Sequence, residues 1–266
     1  NFDVLYLTNS FITNIPSFIS DKLINLHQLL NTIEDKYSII VIPDFLHKKM
    51  QVEDKYYTKI EVEEEMVLDI RNNWHSFEDY ISDLRKKYRN KVKKIVRLTN
   101  HLEVRVLDAK KIDDYYIEMQ NLFNQVVQSS SFIGPEFNIN SFAFFVKKDL
   151  IKVNGYFLNN KLIAFSSEII DDKILYSYYV GFDKKLNKIF PIYGRILIDN
   201  ILNAIALQKD KLILGRTANE YKTNFGAYPI KSYVYLKIKN KYLRILLWPI
   251  YSKLSIKKWQ QRHPLK

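Results

Sequence analysis

The sequence predicts a mixed α/β (α+β) fold, a twisted and mainly antiparallel sheet flanked by helices, and three observations carry that expectation. Segments of strand periodicity alternate with segments of helical periodicity along the chain. Three strands joined by tight polar turns stand together between residues 152 and 180. Apolar residues make up 47% of the 266 and aromatics 14%, enough for a sizeable core and far from the composition of disorder.

Taken in order, Val4–Leu7 and the β-branched run Tyr37–Ile42 read as strands. Between them, Ser20–Glu34 carries Leu23, Ile24, Leu26, Leu29, Leu30 and Ile33 at helical spacing, so the chain opens as a β-α-β unit. Lys55–Ile70 alternates as a strand pair or a strand with a turn, and its Glu63–Glu65 run reads as a solvated rim. Ser76, with Glu78 and Asp79 in the first turn, starts a helix whose apolar period runs from Phe77 to Val96, predicting one long basic amphipathic helix. Leu102–Leu107 is a strand, Asp113–Gln128 a helix, Ser129–Asn140 a loop and Ser141–Leu150 a short aromatic helix. Lys152–Leu158, Leu162–Ile170 and Ile174–Val180 form the meander. A helix marked by Ile189 to Ile205, a strand at Leu212–Leu214 and a closing strand at Tyr233–Ile238 complete the domain.

The chain contains no cysteine, which excludes disulfides, thiolate metal sites and a cysteine nucleophile, and points to a reducing compartment. The five histidines, His27, His47, His75, His101 and His263, lack metal-ligand spacing, so no metal is expected. Phosphate-binding Walker and G-x-S-x-G patterns are absent. No apolar run reaches the roughly 20 residues that span a bilayer, so a soluble, cytoplasm-facing protein is expected, with peripheral contact at the inner face of the membrane left open. The chain begins at Asn1 rather than Met, so an upstream targeting segment would not be visible. The net charge of +12 is concentrated. Residues 85–97 hold eight Lys or Arg and residues 221–266 hold eleven, with no acid in either block. Such blocks suit anionic partners: a nucleic acid, an anionic membrane, a phosphorylated precursor or an acidic carrier protein. A merely solvated basic surface is the alternative.

Three segments, "WHSFEDYISDLRKKYRNKVKK" at 74–94, "YYVGFDKKLNKIFPIYGRILIDNILNAI" at 178–205 and "LILGRTANEYKTNFGAYP" at 212–229, resemble the FemAB-like branch of the GNAT superfamily. The closing "KKWQQRHPLK" is similar to the end of such proteins, which include many bacterial chains described as peptidoglycan-biosynthesis-like. The resemblance covers roughly residues 60–266. It implies a GNAT-like domain at 73–240, with residues 1–72 as a partial, degenerate companion half; residues 241–266 read from their own pattern as a basic amphipathic extension, broken by Pro249, that packs on the protein's own body or rests on a membrane surface. The resemblance also implies an acyl- or aminoacyltransferase whose co-substrate is an acyl-CoA, an acyl carrier protein or an aminoacyl-tRNA, and whose acceptor is an amine or a hydroxyl. In FemAB proteins aminoacyl-tRNA is the donor, and a Lys ahead of a Phe-Gly pair stabilises the transition state; Tyr221, Lys222, Phe225 and Gly226 match that motif. One departure stands out. Phe182–Tyr193 has no glycine where an acetyl-CoA enzyme carries its pyrophosphate loop, and only Gly194 follows, which favours a bulkier donor.

The named residues then take roles. Lys222 is placed to face the carbonyl oxygen where charge builds, and Glu220, two residues away on an extended backbone, would share its face as base or ion-pair partner; a surface salt bridge is the alternative. Arg216 and Thr217 follow Gly215 at a strand end, where an arginine fork suits phosphate or carboxylate, unless Arg216 only ties down the next loop. Tyr179 and Tyr193 are candidates to line the donor pocket, and Gly181 to mark a bulge or splay of the central strands. On the basic helix, Arg85 and Arg89 stand one turn apart and can chelate one phosphate, while Trp74 stacks on a substrate ring or anchors the helix. A non-catalytic module holding RNA or an anionic membrane on its basic face is the competing reading.

Overall fold

The computed structural model describes residues 3–7, 22, 24–25, 30, 36–43, 50–51, 57–128, 137–251 and 259–266. The chain divides into two compact units, 1–64 with 230–258 and 65–229 with 259–266, so both are discontinuous in sequence.

The larger unit holds the second half of β5 (Thr58–Asp69), then α1 (Phe77–Asp83), α2 (Lys86–Leu98), β6 (Glu103–Val106), α3 (Ala109–Val127), α4 (Ser141–Lys147), β7 (Lys152–Leu158), β8 (Lys161–Ile170) and β9 (Ile174–Phe182). There follow α5 (Lys184–Ile189), α6 (Ile192–Ala206), β10 (Lys211–Gly215) and α7 (Asn219–Thr223). Its strands lie in the order β5-β10-β9-β8-β7-β6. Every neighbouring pair is antiparallel except β9 and β10, which run parallel. The meander is local in origin. Asn159 and Asn160 sit at φ 50° and 60°, as the two-residue turn between β7 and β8 demands, and Asn tolerates that region better than most residues.

β5 is one continuous strand, neither a strand pair nor a strand with a turn; its last residues pair antiparallel with β10, Leu212 with Leu68 and Ile213 with Val67, up to a bulge before Gly215. The long basic helix is also corrected: it breaks into α1 and α2 at Leu84–Arg85. There the C-terminal backbone intervenes. Arg85 N–H donates to the Pro264 carbonyl (2.8 Å), Leu84 bridges Leu265, and Lys266 N–H donates to Asp83 O (2.9 Å), so these two residues are extended. Ser76 caps α1 by accepting from Asp79 N–H (3.2 Å). Met66, Leu68, Trp74, Tyr80, Leu197 and Phe225 belong to one buried core cluster. Each such side chain contributes on the order of 1.5–3 kcal/mol by burial.

The smaller unit holds β1 (Val4–Tyr6), β2 (Ile24–Asn25), β3 (Ile39–Pro43), β4 (Met50–Gln51), the first half of β5, β11 (Tyr228–Ile238, from Ile230) and α8 (Lys241–Tyr251). β1 pairs parallel with β3, and β3 antiparallel with β11. The helix predicted over 20–34 is corrected at Ile24–Asn25, which pairs as a strand with β4; most of that segment, like the loop at 129–136, lies outside the described residues. α8 continues through Pro249 and seats Leu243 and Leu247 against Ile60 and Ile238.

Candidate active site

The loop leaving β10 is the most unusual stretch of backbone in the larger unit. Gly215, Thr217 and Ala218 have φ of 70°, 67° and 51°. Glycine adopts that region freely, whereas alanine and β-branched threonine pay roughly 1–2 kcal/mol each, so the surroundings must hold them there. The Ala218 carbonyl accepts from Tyr221 and Lys222 N–H (3.0 and 3.1 Å), and the Lys222 side chain braces the residues before it. Only 2% exposed, it turns its ammonium back from α7 and donates to the carbonyls of Gly215 (3.1 Å) and Arg216 (2.8 Å). Beside these bonds, Arg216 Nε and Asn219 Oδ1 are buried with no hydrogen-bond partner among the described residues. An orphaned guanidinium N–H is costly, about 1–3 kcal/mol, and calls for an explanation.

The expectation that Glu220 and Lys222 share a face is corrected. Residues 219–223 are helical, not extended, so positions two apart diverge: Lys222 points inward, while Glu220 is exposed and accepts from Arg262 Nη2 (2.6 Å). That exposed pair is worth no more than about 1 kcal/mol. Thr217 supplies the strained turn beside Arg216.

This loop lies at the carboxyl ends of the only parallel strands in the unit's described sheet. β9 and β10 pair from Ile174 to Tyr176 against Lys211 to Ile213; past that point the register ends, while β9 runs on to Phe182. The strands therefore part beside the loop, a position where ligands commonly sit in α/β sheets. Along the parted stretch, Tyr179 packs on Phe123 (centroids 5.1 Å apart) and Phe137 (4.6 Å). The bulge opposite lies at Ser167, whose hydroxyl accepts from Tyr179 N–H (3.0 Å). Gly181 is in regular register with Phe165, so it marks no bulge; it lies on the stretch of β9 beyond the β10 register and lets the α3 backbone come close.

Tyr193 and its neighbours form a ladder. Its ring stacks between Phe182 and Tyr221, each 5.6 Å away, and the Lys91 ammonium stands 5.1 Å from the Tyr221 ring. Burial, with Lys87 and Arg262 close by, pulls the Lys91 ammonium below its ordinary range. Gly194 lets α6 meet this ladder, since a Cβ there would fall 2.6 Å from the Tyr221 hydroxyl. The other predicted contacts lie elsewhere. Trp74 is buried and donates its indole N–H to Asp83 (2.7 Å), which makes it an anchor rather than a stacking surface. Arg85 is exposed at the helix break, while Arg89 folds back on the Leu84 carbonyl (3.1 Å), so the structure does not bring the two guanidinium groups together on one ligand.

A buried carboxylate was not anticipated. Glu168, fully buried on β8, accepts from Asn200 Nδ2 (2.7 Å) and from Asn203 Nδ2 (2.9 and 3.1 Å). Ser177, its cross-strand partner on β9, donates to Asn200 Oδ1 (3.2 Å). A lone acid inside the apolar run "LIAFSSEII", facing two asparagines on the apolar side of a helix, was the available signal. Burial raises the Glu168 carboxyl above its ordinary range, against the two amide donors that lower it. Because the folded pKa lies above the unfolded one, the group's contribution is complete below about pH 4.3 and is lost as pH rises through the raised value. The melting temperature of Glu168→Gln minus that of the wild type should therefore rise from about pH 4 to about pH 8 in a thermal-melt series. A falling difference would contradict this.

Among the described residues, no group of three or more His, Asp or Glu is placed to hold a metal. No family model matches the sequence, and no curated protein matches it by sequence. Solved structures match by fold. L-PGS from Bacillus licheniformis superposes with a TM-score of 0.58 at 12% identity, over 87% of this chain and 78% of that one. FemX gives 0.57 at 10% identity, over 84% and 78%. A protein of unknown function from Bacteroides thetaiotaomicron gives 0.56 at 12% identity, over 80% and 74%.

Proposed function

We propose, from the premise that this chain has the FemAB-like GNAT fold of FemX and L-PGS, that it is a transferase moving an acyl or aminoacyl group from an activated donor to an amine or hydroxyl. The observation that carries the reading is the strained loop 215–218, locked by buried Lys222 and presenting Arg216 Nε without a partner where β9 and β10 part. In such a transfer the acceptor nitrogen or oxygen bonds to the donor carbonyl carbon, the bond to the leaving group breaks, and the acceptor's proton departs with the leaving group or to solvent. Negative charge builds on the carbonyl oxygen, and a preorganised cation there is worth about a hundredfold or more in rate. Arg216 is the group assigned to that charge or to a donor phosphate, and Lys222 the group that positions it.

The local bonding around α6 argues against coenzyme A held by pyrophosphate at that helix start. Tyr193 N–H is taken by Asn187 Oδ1 (2.9 Å), Ile192 N–H by Phe190 O (2.6 Å) and Arg195 N–H by Pro191 O (3.0 Å). Asp183 likewise satisfies Lys185 and Leu186 N–H (2.8 and 2.9 Å). With those amides satisfied internally, fewer are left at that helix start for a pyrophosphate, which supports a donor other than acyl-CoA. The basic set of Lys87, Lys91 and Arg262 beside Tyr221 supports a larger anionic donor, charged tRNA or an acyl carrier protein.

Incubating the purified protein with acyl-CoAs, acyl carrier proteins and charged tRNAs in turn, and following product by mass spectrometry, tests the proposal. Transfer from one pool supports it, and silence from all three refutes it. Arg216→Met gives a sharper signature. Transfer should fall at least tenfold, while the melting temperature stays level or rises, because the substitution removes a buried unpaired donor.

A further inference from the structure

α8 has two apolar sides. Leu243 and Leu247 face inward, but Tyr242, Ile245, Leu246 and Trp248 stand 81%, 62%, 72% and 55% exposed around the rest of the helix. Single exposed apolar residues are ordinary on a protein surface; four on consecutive turns of one helix are not. Cations accompany them. Lys241 and Arg244 are exposed on the same helix, and the chain from residue 221 to 266 carries no acid. A shallow concavity of about 410 Å³ beside the face is lined by Thr58, Arg244, Ile245 and Trp248.

We infer that this outward face of α8 docks the protein on an anionic lipid bilayer, with Ile245 and Leu246 entering the acyl region, Trp248 and Tyr242 at headgroup level, and Lys241 and Arg244 against lipid phosphates. Three features choose the bilayer. Exposed apolar and aromatic side chains interspersed with cations are the composition of helices that lie in a membrane interface. A second copy of the chain is a poor occupant: a two-fold contact would oppose cation to cation, and four side chains fall well short of the roughly 20–30 residues a side of a stable interface. A nucleic acid would satisfy the cations and leave Ile245 and Leu246 in water. The helix lies on the surface and does not span, since no described helix is long and apolar enough to cross a membrane. This inference stands apart from the transfer reaction, and either can fail alone.

The full chain is to be mixed with sedimenting vesicles of phosphatidylcholine alone and of phosphatidylcholine with about one third phosphatidylglycerol. Binding to the second, weakened by salt, is expected. Ile245→Ser with Leu246→Ser should lower the partition coefficient at least tenfold, and Lys241→Gln with Arg244→Gln about tenfold on the anionic vesicles. Ile245 and Leu246 are exposed, so the circular dichroism melt of that double variant should not move. Lipids brominated on the acyl chain should quench tryptophan emission in the wild type and much less in Trp248→Phe. No partition of the full chain, partition indifferent to Ile245 and Leu246, or a concentration-dependent dimer abolished by the same double substitution would each overturn the inference.

Discussion

Replacing Lys222 by methionine is expected to lower transfer about a thousandfold and to cost about 2–3 kcal/mol of stability. Methionine nearly matches the side chain's length and volume, so packing is kept and only the donors are lost. The carbonyls of Gly215 and Arg216 then stand unpaired, each costing about 1–3 kcal/mol, partly offset because a buried ammonium no longer has to be desolvated. The larger effect is on rate. Thr217 and Ala218 lie in the left-handed region, and without the lysine the loop is free to relax toward ordinary angles and carry Arg216 away. Lys222→Arg should not rescue, since a planar fork does not fit where a compact ammonium meets two carbonyls. Combining Lys222→Met with Arg216→Met separates positioning from direct action: if the lysine works through the loop, the double variant transfers no worse than Lys222→Met alone. Transfer within a few-fold of wild type in Lys222→Met would sink the proposed site.

How far the sequence could be read depended on whether the cause of each element was local. The β7-β8-β9 meander was legible because alternation and asparagine turns lie within the segments that pair. α6 was legible in the same way, from the apolar period running from Ile192 to Ile205. The break between α1 and α2 was not, because its cause is the backbone of Pro264 and Leu265, some 180 residues later. The site divides along the same line. Arg216, Glu220 and Lys222 could be picked out by residue type and motif, but their directions could not, since α7 has five residues and too few turns to show a helical period. Glu168 needs Asn200 and Asn203 to have meaning, and those three meet only when α6 lies against β8.

Gly181→Ala is expected to be the most damaging single methyl in the larger unit, at about 3 kcal/mol or more. A Cβ at Gly181 would lie 2.3 Å from Phe165 Cε1, 2.7 Å from Phe123 N and 2.9 Å from Leu122 C. The first contact is one ring edge, able to shift at some cost. The other two are α3 backbone, and relieving them means moving the helix away from β9, along with Phe123 and its packing on Tyr179. Gly215→Ala is the control, because it isolates the other reason a glycine is needed. Its Cβ would meet nothing, and only the φ of 70° resists it, which costs roughly 1–2 kcal/mol. Urea denaturation of the two variants should place Gly181→Ala well below Gly215→Ala. Transfer should show the reverse order relative to stability: Gly215→Ala disturbs the carbonyl that Lys222 holds and loses rate in a folded protein, whereas Gly181→Ala loses rate only as far as it unfolds. Equal stability of the two would mean that α3 does not press on β9 as closely as this packing requires.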